Sequence, residues 1–372
     1  MNIENMDKLL ETFVESGIPG CSVIVHKDHK EIYRGKAGYA DIETQTPISY
    51  DNLFYIYSAT KVITCTAIMI LVGMGKLEID DPLSKYIPEY KNMQVLNFHT
   101  NGTLLGTRPA AREITVRDLM SMSSGLDYDV NSAPIKSVKE ETDGKCPTLQ
   151  IVRALATKPL CFDPGEHYKY SLSHDVLGGL IEVVSGMSFG EFLKKYIFDV
   201  LGMENSTFRL NDSNKSKMAT LYKHEDGKAV PVNSNMYVIG SEYESGGAGL
   251  ISCLEDYGKF VDALACGGVG ANGGRIISTE LLELMRQNQF TDQRAIDFFD
   301  TKVGYGYGLG VRVHIDKAKS LRPTPLGEFG WGGAAGATML IDPVNHISMF
   351  YVQHLLNTPI KLGGRMLNVI YS

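Results

Sequence analysis

The strand signals of this chain lie at its two ends and the helical signals between them, an order that obliges both termini to build one sheet. Near the start, apolar runs over Cys21–His26 and Glu31–Gly38 flank a polar Lys27–Lys30 connection and predict a hairpin. Toward the end, Tyr305–Ile315, Ala337–Ile341 and Ile347–Leu355 read as strands, separated by Gly330–Gly336 and Asp342–Asn345. Amphipathic helices are predicted outside them, over about Asn5–Ser16 and Pro359–Tyr371. Between about Ser84 and Asp292 helical stretches dominate: Val116–Ser121, Leu149–Ala156, Asp175–Val184, Phe189–Leu201, Leu254–Ala265 and Thr279–Gln287. With 372 residues the chain is long for a single core. The expected architecture is α+β. Residues 1–83 and 293–372 form a discontinuous domain with an antiparallel sheet flanked by helices, and 84–292 form an inserted, mainly helical domain.

Charge and composition narrow the function. The formal net charge is −7 and Lys and Arg form no cluster, so no nucleic-acid partner is expected. The longest apolar stretch, about Val62–Met74, is interrupted by Thr64, Cys65 and Thr66. It is too short for a membrane span and reads as a buried core helix. The first residues lack the basic start and apolar core of a signal peptide. The six cysteines are scattered, without a Cys-x-x-Cys pair or a nearby histidine at ligand spacing. A reduced, cytoplasmic setting is therefore expected, with no metal and no cofactor. Oligomeric state leaves no mark in the sequence.

One short segment carries chemistry. Asp51 opens a helix-like region that runs through Tyr57-Ser58-Ala59-Thr60-Lys61 and ends near Gly73–Gly75. Residues three apart share a helix face, so Ser58 and Lys61 can meet. A serine hydroxyl needs a neighbouring base before it attacks, and lysine serves once burial lowers its basicity. A helix start also favours a developing oxyanion. Taken alone, the pair occurs so often by chance that a capping serine and a solvated lysine describe it better. Two further segments change the balance. Asp163–Asp175 is a tight turn entering a helix with Tyr170 just before it, and Phe329–Gly336 is a glycine-rich loop around Trp331, the only tryptophan.

These segments together resemble the serine β-lactamase and penicillin-binding-protein superfamily, in its class C-like branch that includes the family VIII carboxylesterases. The resemblance spans nearly the whole chain. It also takes in Gly75–Pro82, Ile114–Met120, Ser123–Leu126 and Gly246–Leu250. It implies a β-lactamase/transpeptidase-like fold, Ser58 as acylated nucleophile, and Lys61 with Tyr170 as its proton-transfer pair. The backbone N–H groups of Ser58 and Ala334 would form the oxyanion hole.

Two departures from the family pattern point to the substrate. The second motif usually ends in an asparagine that binds an amide, but here reads Tyr170-Ser171-Leu172, and leucine cannot hydrogen-bond. The third usually offers a cation and a hydroxyl to a substrate carboxylate, and here reads Trp331-Gly332-Gly333. Losing a charge-assisted contact costs about 1.5–3 kcal/mol. A small-molecule ester is therefore expected ahead of a lactam, with Leu172, His174, Trp331, Gly332 and Gly333 as substrate-contacting residues. The rivals are a β-lactamase or D-amino-acid peptidase drawing a cation from Arg312 or Arg322, an acyltransferase, and a sensor module that acylates without turnover. Gly186-Met187-Ser188-Phe189-Gly190 mimics a nucleophile elbow, but a helix precedes it where that motif needs a strand. Ser188 is expected to cap a helix instead. A triad using His167 or His174 is the remaining alternative for the base.

Overall fold

The computed structural model describes residues 3–290, 292–298, 302–360 and 363–372. Its main sheet has eight strands, all paired antiparallel. Their order is Tyr305–Tyr307, Arg312–His314, Phe329–Gly330, Thr338–Asp342, Ile347–Gln353, Gly20–Lys27, Lys30–Asp41 and Thr46–Pro47. The two ends of the chain meet where Gly20–Lys27 pairs with Ile347–Gln353, with Val23 opposite Tyr351. Successive side chains on a strand face opposite sides. Accordingly Val23, Val25, Leu340, Met349 and Tyr351 join a core with Met6, Leu10, Phe13, Met366 and Leu367 from the terminal helices Ile3–Glu15 and Gly363–Ile370. Ile24, Met339, Ile341, Phe350 and Val352 point into the larger core on the other face.

That second face differs from expectation. The helix Leu254–Ala265 falls in the segment read as the inserted domain, yet it packs directly on the sheet, with Tyr257 against Phe350 at 4.6 Å between ring centres. Helical periodicity in Tyr257, Phe260, Val261 and Leu264 marks an apolar stripe but cannot say which surface covers it. The intervening region is also less uniformly helical than its sequence suggests. It holds the hairpins Gln94–Phe98/Leu104–Pro109 and Tyr222–Glu225/Lys228–Pro231, although it also gains a helix over Ala133–Glu141 that the sequence pattern does not mark. The predicted Tyr305–Ile315 strand is two short strands joined through Gly308–Gly310, and the final helix is observed over Gly363–Ile370, with Lys361 and Leu362 outside the described residues.

The segment that carries Ser58 is built in three steps. Asp51 does not open a helix: Phe54–Tyr55 pairs as a strand with Ile251–Ser252, Tyr57–Ala59 makes one 3-10 turn, and the α-helix runs over Thr60–Gly73. This helix is buried from Thr60 to Leu71, its Thr64 and Thr66 hydroxyls donating back to the Thr60 and Val62 carbonyls, and it packs against the helix Ser173–Ser185. No single described helix is long and apolar enough to cross a membrane.

Candidate active site

The turn before the buried helix is strained. Tyr57 holds φ +47, a left-handed conformation that costs a non-glycine residue about 1–2 kcal/mol. Its ring is locked by edge contacts with Tyr55 and Tyr237 and by packing on Leu221, Ala248 and Ala335. The turn leaves Ser58 half-buried at the mouth of the helix, and one turn deeper Lys61 is 0% exposed. Lys61 Nζ donates to the Gly247 carbonyl at 2.6 Å and reaches Ser58 Oγ and the Tyr128 hydroxyl at 3.4 Å each. Tyr170 arrives from the loop before the Ser173–Ser185 helix, and its hydroxyl donates to Ser58 Oγ at 2.7 Å. Ser58, Lys61 and Tyr170 therefore converge on one point.

The third segment closes the other side. Trp331 stacks on Tyr170 with 5.9 Å between ring centres, and its Nε1–H donates to the Tyr170 hydroxyl at 3.3 Å. Gly333 lies against Ile56, so close that a Cβ would overlap the Ile56 carbonyl oxygen. Only glycine lets the loop approach this far. The contact sets Ala334 beside the turn that bears Ser58. Neither the Ser58 nor the Ala334 N–H donates to another group among the described residues, so both amides are free to serve an oxyanion.

Other expected residues fall elsewhere. Leu172 and His174 are 3% and 0% exposed, as deeply buried as Lys61. The chain turns inward at Leu172 to start the helix, so Tyr170 alone of this segment faces Ser58. Burial first, and then the Lys61 charge, hold the His174 imidazole well below its usual range; it stays neutral without hydrogen-bonding Ser58. His167 instead pairs with Asp297 at 2.9 Å. Trp331 is only 9% exposed, wedged between Tyr170 and Tyr307, so it offers an edge rather than a platform. Ser188 caps its helix in a reciprocal pair with Glu191. Arg312 is committed to the fully buried Glu328 at 2.8 Å.

Three features were invisible to spacing. Tyr128 stacks on Tyr170 at 5.4 Å and 7° between planes, and Tyr237 meets Tyr128 edge-on. Burial, and then the Asp175 charge, hold the Tyr128 phenol well above its usual range, so it stays protonated beside Lys61. Asp175 is buried behind Gly247, one oxygen taken by the hydroxyls of Tyr243 and Ser245 at 2.7 and 2.5 Å. Lys302 sits 5.7 Å from the centre of the Trp331 ring, and burial, with Arg312 and Arg322 nearby, brings its ammonium down to about 8. Sequence could have flagged Gly247, since Gly246–Leu250 belongs to the family pattern; nothing flagged the two tyrosines.

A beta-lactamase family model matches residues 6–362, and the chain belongs to that family. It is a serine hydrolase of the β-lactamase-like type. Protein Rv1367c of Mycobacterium tuberculosis is 32% identical over 366 residues, covering 95% of this chain and 90% of the relative. Esterase EstB of Burkholderia gladioli is 27% identical over 361 residues, covering 88% and 84%. Among solved structures, EstCE1, a hydrolase with promiscuous acyltransferase activity, superposes with a TM-score of 0.82 at 24% identity, covering 99% of this chain and 98% of that one.

Proposed function

We propose that this protein hydrolyses carboxylic esters through an acyl-enzyme on Ser58. The observation that carries the reading is the placement of Ser58 Oγ between the Tyr170 hydroxyl at 2.7 Å and Lys61 Nζ at 3.4 Å. In this mechanism the Lys61–Tyr170 pair, acting as one unit, takes the Ser58 proton as Oγ attacks the ester carbonyl. The oxyanion that forms is held by the Ser58 and Ala334 N–H groups. When the carbon–oxygen bond to the alcohol breaks, Tyr170 returns the proton to the leaving oxygen. Water then attacks the acyl-enzyme and gives a proton to the same pair; the bond between the acyl carbon and Ser58 Oγ breaks, the pair returns the proton to Oγ, and the acid leaves. The esterase relatives support an ester as substrate. An alcohol in place of water would give acyl transfer, the side activity named for EstCE1.

Lys302 favours a second reading. A carboxylate-bearing lactam needs a cation beside the third motif, and Lys302 lies against Trp331 where that motif offers none. One assay separates the two: turnover of a short-chain aryl ester and of a chromogenic cephalosporin by wild type, Ser58→Ala and Lys302→Met. The ester reading expects ester turnover abolished in Ser58→Ala and little cephalosporin turnover in any form. Rapid cephalosporin hydrolysis lost in Lys302→Met would replace it.

A further inference from the structure

Remote from the cleft, one group of side chains among the described residues has the donors and spacing of a transition-metal site. It comprises His29, Asp262 and Cys266, whose ligand atoms all lie within 4.8 Å of one another. Asp262 and Cys266 are four residues apart at the end of the helix Leu254–Ala265, with Cys266 as its C-cap. That spacing puts both on one face and is the one by which helices present paired metal ligands. The carbonyl end of a helix attracts cations, and no basic side chain occupies this last turn.

His29 comes from the opposite direction, on the two-residue connection between the strands Gly20–Lys27 and Lys30–Asp41. There Asp28 and His29 both hold left-handed angles, φ 49 and 64. Such turns favour Asn-Gly, so histidine at the second position is a costly choice for a turn alone. Here it sets Nδ1 at 2.7 Å from one Asp262 oxygen, while the other Asp262 oxygen faces Cys266 Sγ at 4.0 Å. Asp262 is 2% exposed, whereas the His29 side chain is about a third exposed and leaves an entry path.

We propose that His29 Nδ1, the Asp262 carboxylate and Cys266 Sγ bind a divalent transition-metal ion of the zinc class, with water completing four-coordination. Imidazole, carboxylate and thiolate together suit zinc; magnesium and calcium take oxygen shells. Around a tetrahedral ion the ligand atoms sit roughly 3.3–3.7 Å apart. The His29–Asp262 contact must open by about half an ångström and the sulfur must close in by at most about 1.5 Å, within side-chain rotation. On binding, the His29–Asp262 hydrogen bond gives way to metal–nitrogen and metal–oxygen bonds, the Nδ1 proton is given up so that any remaining ring proton sits on Nε2, and the thiol proton leaves to solvent. The site clips the first hairpin to the helix behind the sheet. It lies at the Lys27 end of its strand, whereas the loop beside Ser58 lies near Gln353, which pairs with Cys21 at the other end. Binding should therefore stabilise the fold and leave ester turnover unchanged.

The test is a Co²⁺ titration of the reduced, metal-free protein, read by the thiolate-to-cobalt charge-transfer band and followed by competition with Zn²⁺. A saturable band at one ion per chain is expected. Zn²⁺ should displace it, Cys266→Ser should lose it, and His29→Ala should weaken affinity at least about tenfold. Zn²⁺ should raise the melting temperature of wild type and not that of Cys266→Ser. Absence of a thiolate band would overturn the proposal. So would an equal band in Cys266→Ser, or unchanged affinity in His29→Ala, which would leave His29–Asp262 as an ion pair only. None of these readouts depends on the ester chemistry of Ser58.

Discussion

Adding one methyl group at Gly333 tests how closely the glycine loop must approach Ser58. A Cβ there would fall inside the van der Waals surface of the Ile56 carbonyl oxygen and sit 3.1 Å from Ala337 Cβ. Backbone lies on one side and a buried strand start on the other, so no flexible side chain can give way. The loop or the Ile56–Ser58 segment must therefore shift by about 1 Å, and a displacement of that size costs on the order of 100-fold when it separates reacting groups. Losing an oxyanion donor outright costs about 10²–10³ in kcat. Gly333→Ala is thus expected to lower kcat for an aryl ester at least about 100-fold, with a cooperative melt retained. Gly332→Ala is the control: its Cβ would meet only the Ala337 carbonyl, at 3.0 Å, and should cost less than about tenfold. A folded Gly333→Ala enzyme with kcat within threefold of wild type would refute the claim that this contact places the Ala334 amide.

Tyr170→Phe removes the hydroxyl 2.7 Å from Ser58 Oγ, and steady-state kinetics should show kcat falling about 10²–10⁴-fold with little change in the melting curve. His174→Leu replaces a buried imidazole whose nitrogens are both unpartnered, so stability should hold or rise by about 1 kcal/mol in urea denaturation; a loss above about 2 kcal/mol would contradict that reading. Burial, and then Glu244, raise the Glu182 carboxyl from 4.5 to about 7, although its backbone contact with Phe189 opposes the shift. A carboxyl raised in the folded state favours folding in its protonated form, so its contribution is full below about 4.5 and is lost as pH rises through about 7. Discounted for partial solvent exposure, Glu182→Gln should gain about 1 kcal/mol at pH 8 and nothing at pH 4. Equal stability of the two proteins at pH 8 would refute the shift.

The sequence made the termini-built sheet legible because alternation and turn residues report strands directly, as at Cys21–His26 and Ile347–Gln353. It misplaced the helix Leu254–Ala265, since an amphipathic stripe carries no address for its partner. At the site, Ser58 and Lys61 were readable because three residues of helix fix their separation. Tyr170 needed the family register, because Tyr168 two positions earlier alternates the same way and is in fact buried. Position beside Tyr170 in sequence likewise says nothing of the inward turn that buries Leu172 and His174. Tyr128 stands 67 residues from Lys61 in the chain, and the His29–Asp262 contact spans 233, separations across which spacing holds no information.

The central claim is that Ser58 becomes acylated. Quenching the wild-type enzyme with acid during turnover of a slowly deacylated aryl ester, then mapping peptides by mass, tests it most directly. One acyl group per chain is expected on the peptide bearing Ser58, with none on Ser58→Ala or on the peptide bearing Ser188. An adduct at Ser188, or undiminished ester turnover by Ser58→Ala, would contradict the account.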